Sequence, residues 1–386
     1  MTDQPLPPTP GLAALGQRGA RRRFNPSTAI VLCVGGVALP LLGFTGLVSV
    51  ELVNMLGRYL AFAIVALGLD LIWGYTGILS LAQSFFFALG GYGMGIYLAF
   101  QGTLFNGIPE ALYVVYPYAV GEAKGHEVLP WAWLPFQNFG LTLVLCLLAP
   151  AAIAGIVGFL GFISRVKGVY FSILTQALTV AAVLFFSKNE VKFGGTNGLT
   201  HFKTIAGFEL SNPNTKIVLY LVTFLTLVAV FFLSKSIIKT RFGRVLIAIR
   251  DSERTLRFSG YKPYLFKTAI FAFAGLLAGL GGMLYTPQAN IITPSYMDAK
   301  WSILMVVWVA VGGRGSLLGA VLGALGVNLL YNALTSQWSL GGFTWSPDYW
   351  PIVLGLIFIL IVLKFPAGLQ SIWTELSKRV RNRRTM

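Results

Sequence analysis

The chain has 386 residues, of which 56% are hydrophobic and only 11% charged, with a mean hydropathy of +0.74. A soluble protein carries about a quarter charged residues, so the composition excludes a soluble globular domain and implies a polytopic membrane protein. The net charge of +16 does not indicate nucleic acid here, because the basic residues gather in particular loops, as they do where charge sets membrane orientation.

From the amino terminus, residues 1–27 hold prolines, glycines and the cluster Arg21-Arg22-Arg23, and read as a cytoplasmic tail. The apolar run at 28–47 has no clear small-residue cleavage site and is long enough to cross a bilayer, so it reads as a retained span rather than a signal peptide. Further runs near the ~20 residues that a membrane helix needs lie at 53–73, 78–100, 139–163, 168–187, 215–234, 266–286, 299–312, 315–335 and 350–365. The expectation is an all-α, polytopic integral membrane protein of about ten transmembrane helices, filling residues 28–366 and followed by a basic cytoplasmic tail at 367–386. The 299–312 run is short, so eight or nine full crossings plus a re-entrant piece is the alternative.

With the amino terminus inside, most of the 29 lysines and arginines fall on the cytoplasmic side, which obeys the positive-inside rule and puts both termini and the 235–262 loop in the cytoplasm. The segments 101–138 and 188–214 then face outward. The first is rich in Pro, Trp and Tyr, and reads either as a docking surface or as interfacial aromatic anchoring.

Several polar groups sit inside apolar runs. Asp70 is an expensive residue at membrane depth, and it either lines a path or braces a neighbouring helix. Ser80, Gln83 and Ser84 share a helix face by their spacing, and Thr175, Gln176 and Thr179 form a similar cluster. Both stripes fit a translocation path for a neutral polar molecule, and both also fit polar glue between helices. Glycines one turn apart, Gly91 and Gly95, Gly275 and Gly279, Gly319 and Gly323, predict close helix packing. Glycine-rich breaks at Gly74-Tyr75-Thr76-Gly77 and at Gly312-Gly313-Arg314-Gly315-Ser316 hint at two related halves.

The hydrophilic loop 235–262 interrupts this apolar chain with Gly243-Arg244-Val245-Leu246-Ile247-Ala248-Ile249-Arg250-Asp251-Ser252-Glu253-Arg254 and ends at Ser259-Gly260-Tyr261. Leu246, Ile247, Ile249, Leu256 and Phe258 interleave with the charges. Glu253 and Arg257 at i,i+4, with Asp251 and Arg254 at i,i+3, support a short helix. Such a charged helix between two spans is a handle that a soluble motor can grip. The other reading is a basic loop lying on anionic lipid.

This loop resembles the coupling loop of permease subunits in ATP-binding-cassette importers of the branched-chain amino-acid type. Trp73-Gly74-Tyr75-Thr76-Gly77-Ile78-Leu79-Ser80-Leu81, Gly90-Gly91-Tyr92, Phe193-Gly194-Gly195-Thr196-Asn197-Gly198-Leu199-Thr200 and Ala310 to Ser316 carry the same resemblance, which covers residues 50–366. The wording of Tyr170 to Leu178 and the insert at 101–138 are most similar to the urea-importer branch. The resemblance implies a multi-pass subunit of the bacterial inner membrane that forms the path for urea. Branched-chain amino acids or short amides are the alternative cargo. It implies a second permease subunit, two ATPase subunits and an extracytoplasmic substrate-binding protein as partners, besides membrane lipid. It also implies ATPase contact by Gly243, Arg244, Arg250, Asp251, Glu253, Arg254 and Gly260. The chain holds no Gly-x-x-x-x-Gly-Lys-Ser/Thr loop, so no catalytic role or cofactor is expected in it, and ATP and Mg belong to the partners. The two histidines, His126 and His201, form no metal-type motif, which argues against a membrane enzyme. A passive urea channel is the rival in another class; it has no use for the loop.

Overall fold

The structure, a computed structural model, describes residues 49–102, 130–166 and 168–336, with isolated positions at 40, 43, 104–109 and 338–359. The expected spans at 28–47 and 350–365, the two tails and most of the 101–138 insert lie outside the described residues. Within them the chain is a bundle of helices: α1 (Val50–Thr76), α2 (Gln83–Phe100), α3 (Phe139–Ile163), α4 (Gly168–Phe186), α5 (Pro213–Lys239), α6 (Arg241–Phe258), α7 (Pro263–Ala289), α8 (Ala299–Gly312) and α9 (Leu317–Thr335). Among the described residues six of these, α1, α3, α4, α5, α7 and α9, are long and apolar enough to cross a membrane. The all-α, polytopic membrane fold is therefore as expected.

Local chemistry sets the helix ends. Asn138 and Asn212 cap α3 and α5, their side chains accepting from Gly140 N and Asn214 N, and prolines open α5 and α7 where a missing N–H costs nothing. Gly77 closes α1 in the left-handed region (φ 82°), where a residue with Cβ is strained. The expected span at 78–100 therefore begins later, at Gln83, because residues 77–82 leave the helix after that cap.

α7 is the central helix, lying against α1, α2 and α3. It comes close because its glycines meet α3 directly: a Cβ on Gly279 would lie 2.6 Å from Cys146 O, and one on Gly275 2.5 Å from the Ala154 Cβ and 3.0 Å from Pro150 O. The same reasoning holds between α8 and α9, where a Cβ on Gly319 or Gly323 would collide with the carbonyls of Gly312 or Trp308. The glycine spacing thus reports packing. At the far end from α6, a two-residue antiparallel pair, Leu199–Thr200 with Ile291–Ile292, ties the segment after α4 to the turn after α7.

Candidate functional site

α6 is two helical pieces meeting at Ser252, whose backbone is extended (φ −158°, ψ 91°). Its Oγ accepts from Thr255 N (3.4 Å) and pairs with Thr255 Oγ1 (2.8 Å), so the serine caps the second piece as it ends the first. On the first piece Gly243, Leu246 and Ile249 form the buried stripe. Gly243 permits the sharp entry from α5, since a Cβ there would sit 2.5 Å from Ile238 Cα.

Two guanidiniums join α6 and the turn before α9 to the end of α1. Arg250 donates from Nη1 to Gly74 O (3.0 Å), and Arg314 donates from Nε to Trp73 O (2.9 Å) while lying 5.0 Å from the Trp73 ring. Trp73 O also accepts from Gly77 N, and the carbonyl end of a helix carries partial negative charge, so cations belong there. Burial, followed by the neighbouring Arg250 charge, lowers the Arg314 pKa against the opposing pull of Asp70.

Asp70, fully buried in α1, accepts from Gly315 N at 2.7 Å, and Tyr75 Oη donates to Gly315 O at 3.0 Å. Gly315 needs φ +80°, and the carboxylate and the phenol hold it there. Of the two roles open to Asp70, its observed contact is the bracing one.

Glu253, which begins the second piece, binds two cations: Arg257 one turn on and Lys267 in the first turns of α7, each at 2.5 Å. The expected Glu253–Arg257 pair is present. The expected Asp251–Arg254 pair is not; Asp251 instead meets Arg250 at 3.2 Å, because the kink at Ser252 breaks the helical register between 251 and 254. Burial pushes the Glu253 carboxyl up, but the hydrogen bonds and charges of Lys267 and Arg257 outweigh it and hold the pKa below its ordinary value. Arg244, Asp251, Arg254, Phe258 and Gly260 are exposed, Phe258 at 86%, and form the free face of the element. Beneath it lies a cavity of about 490 Å³ reached by Arg165, Arg250, Glu253, Arg257 and Lys267.

The second feature is the non-helical segment 77–82, held between α4 and α8. Thr175 Oγ1 accepts from Leu81 N (3.0 Å), Ser172 Oγ donates to Leu79 O (2.8 Å), and Ser302 Oγ donates to Leu81 O (2.6 Å) while pairing with Ser84 Oγ (2.5 Å). Thr179 bonds chiefly to its own helix, at Gln176 O and Thr175 O, and Ser80 to Ala82 N. These hydroxyls supply the backbone partners that an unwound segment must find at membrane depth. The amides of Gln83 and Gln176 are different: both ends of each are buried and have no partner among the described residues.

The family described as "Branched-chain amino acid transport system / permease component" matches residues 51–362, which include both features. The chain belongs to this family of permeases. Its relatives include the high-affinity branched-chain amino acid transport system permease protein LivM of Escherichia coli, 25% identical over 88% of this chain and 73% of the relative. The probable branched-chain amino acid transport permease protein LivM of Methanocaldococcus jannaschii is 24% identical over 83% of this chain and 94% of its own length. The ribose import permease protein RbsC of Bacillus subtilis is 28% identical over 48% of this chain and 57% of its own. No solved structure matches.

The structure of this permease adds three residues to those expected from the sequence. Lys267 is the second partner of Glu253, Ser302 is the hydroxyl closing the break, and Arg58 stands in α1 with its Nε buried and unpartnered among the described residues. Lys267 lies just inside an apolar run, and Ser302 among hydrophobic neighbours, so neither has a periodic signal. Arg58 did have one: it is the only basic residue in the 53–73 run, and a charge inside a span marks function by default.

Proposed function

We propose that this permease is a membrane subunit of an ATP-binding-cassette importer whose cargo is urea, energised by partner ATPases that grip the exposed face of α6 from the cytoplasm. The observation that carries the cargo is the pair of unpartnered buried carboxamides, Gln83 and Gln176, next to the unwound segment. An unwound segment in a span is a usual place for a transported solute. Urea is neutral and planar, with one carbonyl acceptor and N–H donors on either side, and a carboxamide offers the complementary donor and acceptor without charge. Asp70, at the end of α1, accepts from Gly315 N through Oδ1, which ties the carboxylate to the 313–316 turn, while its buried Oδ2 has no partner among the described residues.

Arg244, Asp251, Arg254 and Gly260 supply the gripped face. Arg250 and Glu253 pass its displacement to α1 and α7. The basic loop bias supports cytoplasmic termini and an inner-membrane location. A second permease subunit, two ATPases that bind ATP and Mg, and an outer binding protein complete the assembly. A second reading keeps the permease and changes the cargo to a branched-chain amino acid. It is favoured by Arg58, a cation that has no acidic partner among the described residues and suits a carboxylate.

The test is uptake of labelled urea, with leucine and acetamide as competitors, in cells with and without this gene. Energy-dependent urea uptake that is lost with the gene and resists excess leucine supports urea; loss of leucine uptake alone moves the cargo to amino acids. Gln176→Leu should slow uptake several-fold, and unchanged uptake assigns this glutamine to packing.

A further inference from the structure

At the end opposite α6 lies a second cavity, of about 740 Å³, lined by Asn54, Arg58, Glu209, Lys216, Gln288 and Asn290 among others. Arg58 is the ninth residue of α1, so it stands about 12 Å along a helix roughly 40 Å long, inside the depth of a hydrocarbon core of about 30 Å. A guanidinium at that depth is expensive, and such residues face a partner or a water-filled route. No carboxylate pairs with this one among the described residues, and its Nε is buried without a hydrogen bond.

The neighbouring amides are spoken for on one side only. Asn54 Nδ2 donates to Gln288 O (3.0 Å), and Gln288 Nε2 donates to Thr223 Oγ1 (2.8 Å) and Leu284 O (2.8 Å). The remaining atoms, Asn54 Oδ1 and Gln288 Oε1, are buried acceptors without donors among the described residues. The unfilled capacity is thus one cationic N–H and two amide oxygens on residues lining one cavity. Gly57 is glycine because a Cβ there would collide with Gln288 Oε1, so the glutamine is fitted against α1 between Asn54 and Arg58.

One turn further along α1 lies a cluster of aromatic rings. Phe62 stacks on Tyr285 at 4.9 Å and lies 5.6 Å from Trp301 and 5.0 Å from Trp308, while Tyr285 Oη and Tyr296 Oη share a hydrogen bond of 2.8 Å.

We propose that the cavity at Asn54, Arg58 and Gln288 is the cargo-receiving site, in which the Arg58 guanidinium donates to a carbonyl or carboxylate oxygen and the two amide oxygens accept from N–H groups attached nearby. The site takes a small planar C=O group flanked by N–H; with urea as cargo it rests on the function proposed above.

The test is the concentration dependence of uptake in cells carrying the whole importer, for the parent chain, Arg58→Gln, Arg58→Lys and Asn54→Ala, with membrane levels of each checked by immunoblot. The site requires KM to rise at least tenfold in Arg58→Gln and several-fold in Asn54→Ala, with a much smaller fall in kcat. Arg58→Lys, which keeps the charge and loses the planar fork, should fall between parent and Arg58→Gln. An unchanged KM in Arg58→Lys and Asn54→Ala at normal membrane levels overturns the site. So does a loss of kcat at constant KM, the mark of a packing role. If the parent imports leucine and not urea, the urea reading fails, and the same KM rise measured with leucine retains the site with a carboxylate as its ligand.

Discussion

Asp70 is a charge that the membrane should exclude, and one of its oxygens has a structural use, while Oδ2 is buried without a partner among the described residues. Its Oδ1 holds Gly315 N at 2.7 Å, at a turn where positive φ leaves the backbone without regular partners. Asparagine keeps an acceptor in that position and leucine does not. Losing the acceptor strands a buried N–H, which costs about 1–3 kcal/mol. Asp70→Asn should therefore retain most uptake, while Asp70→Leu should lower the melting temperature of the detergent-solubilised protein by several degrees and reduce its membrane level. Equal loss in both variants would mean that the negative charge itself matters, through Arg314 or through the path. Gly74 shares the constraint: a Cβ there would meet Gly315 N at 2.5 Å, so α1 and the 313–316 turn interlock backbone to side chain.

Among the elements, the segment 77–82 is unwound and yet has partners. Its carbonyls and amides reach Ser172 and Thr175 from α4 and Ser302 from α8, so two helices jointly replace the hydrogen bonds that helix would have made. Ser302→Ala removes both the bond to Leu81 O and the pairing with Ser84. The expected cost is about 1–3 kcal/mol, read as a lower melting temperature, with Ser302→Thr recovering part of it; an unaffected Ser302→Ala would show that water or Thr179 substitutes fully.

The extent of α1, α3, α4, α8 and α9 was legible in apolar run length and glycine caps, because a bilayer leaves few other solutions for such a run. The break was less so. Residues 78–82 are apolar enough to extend the next span, and only Gly77 marks the end of a helix. The 251–254 register was illegible for a related reason: the i,i+3 spacing of Asp251 and Arg254 carries no sign that the Ser252 hydroxyl between them caps a new helix. Which hydroxyls brace and which amides stay open depends on contacts more than 90 residues apart in sequence, as between Leu81 and Thr175, and periodicity along one helix carries no such information.

Across the whole molecule, α6 is connected at two points to helices that run its length. Arg250 fixes it to the last turn of α1, and Glu253 fixes it to the beginning of α7, the helix on which α1, α2 and α3 all pack. On the proposed function, a displacement of α6 would reach the Gln83 break through α1 and the Arg58 cavity through both helices, since α1 and α7 also line that cavity. The Glu253 tie is insensitive to ordinary pH. Its carboxyl pKa is lowered in the folded state, so the stabilisation is fully present above the ordinary value of 4.5 and is lost only as pH falls through the lower folded value. Coupling through Glu253 should therefore not vary between pH 6 and 8. Glu253→Arg sets a cation against Arg257 and Lys267 and should release α6 from α7 while the spans still insert. In cells carrying the whole importer, the expected phenotype is ATP hydrolysis continuing in isolated membranes while energy-dependent uptake falls at least tenfold. A second substitution, Lys267→Glu, restores opposite charges across the same contact and should recover part of the uptake. Normal uptake in Glu253→Arg, or no recovery in the charge-swapped pair at equal membrane levels, would show that the stroke travels by another route, with the Arg250 contact to Gly74 as the remaining connection.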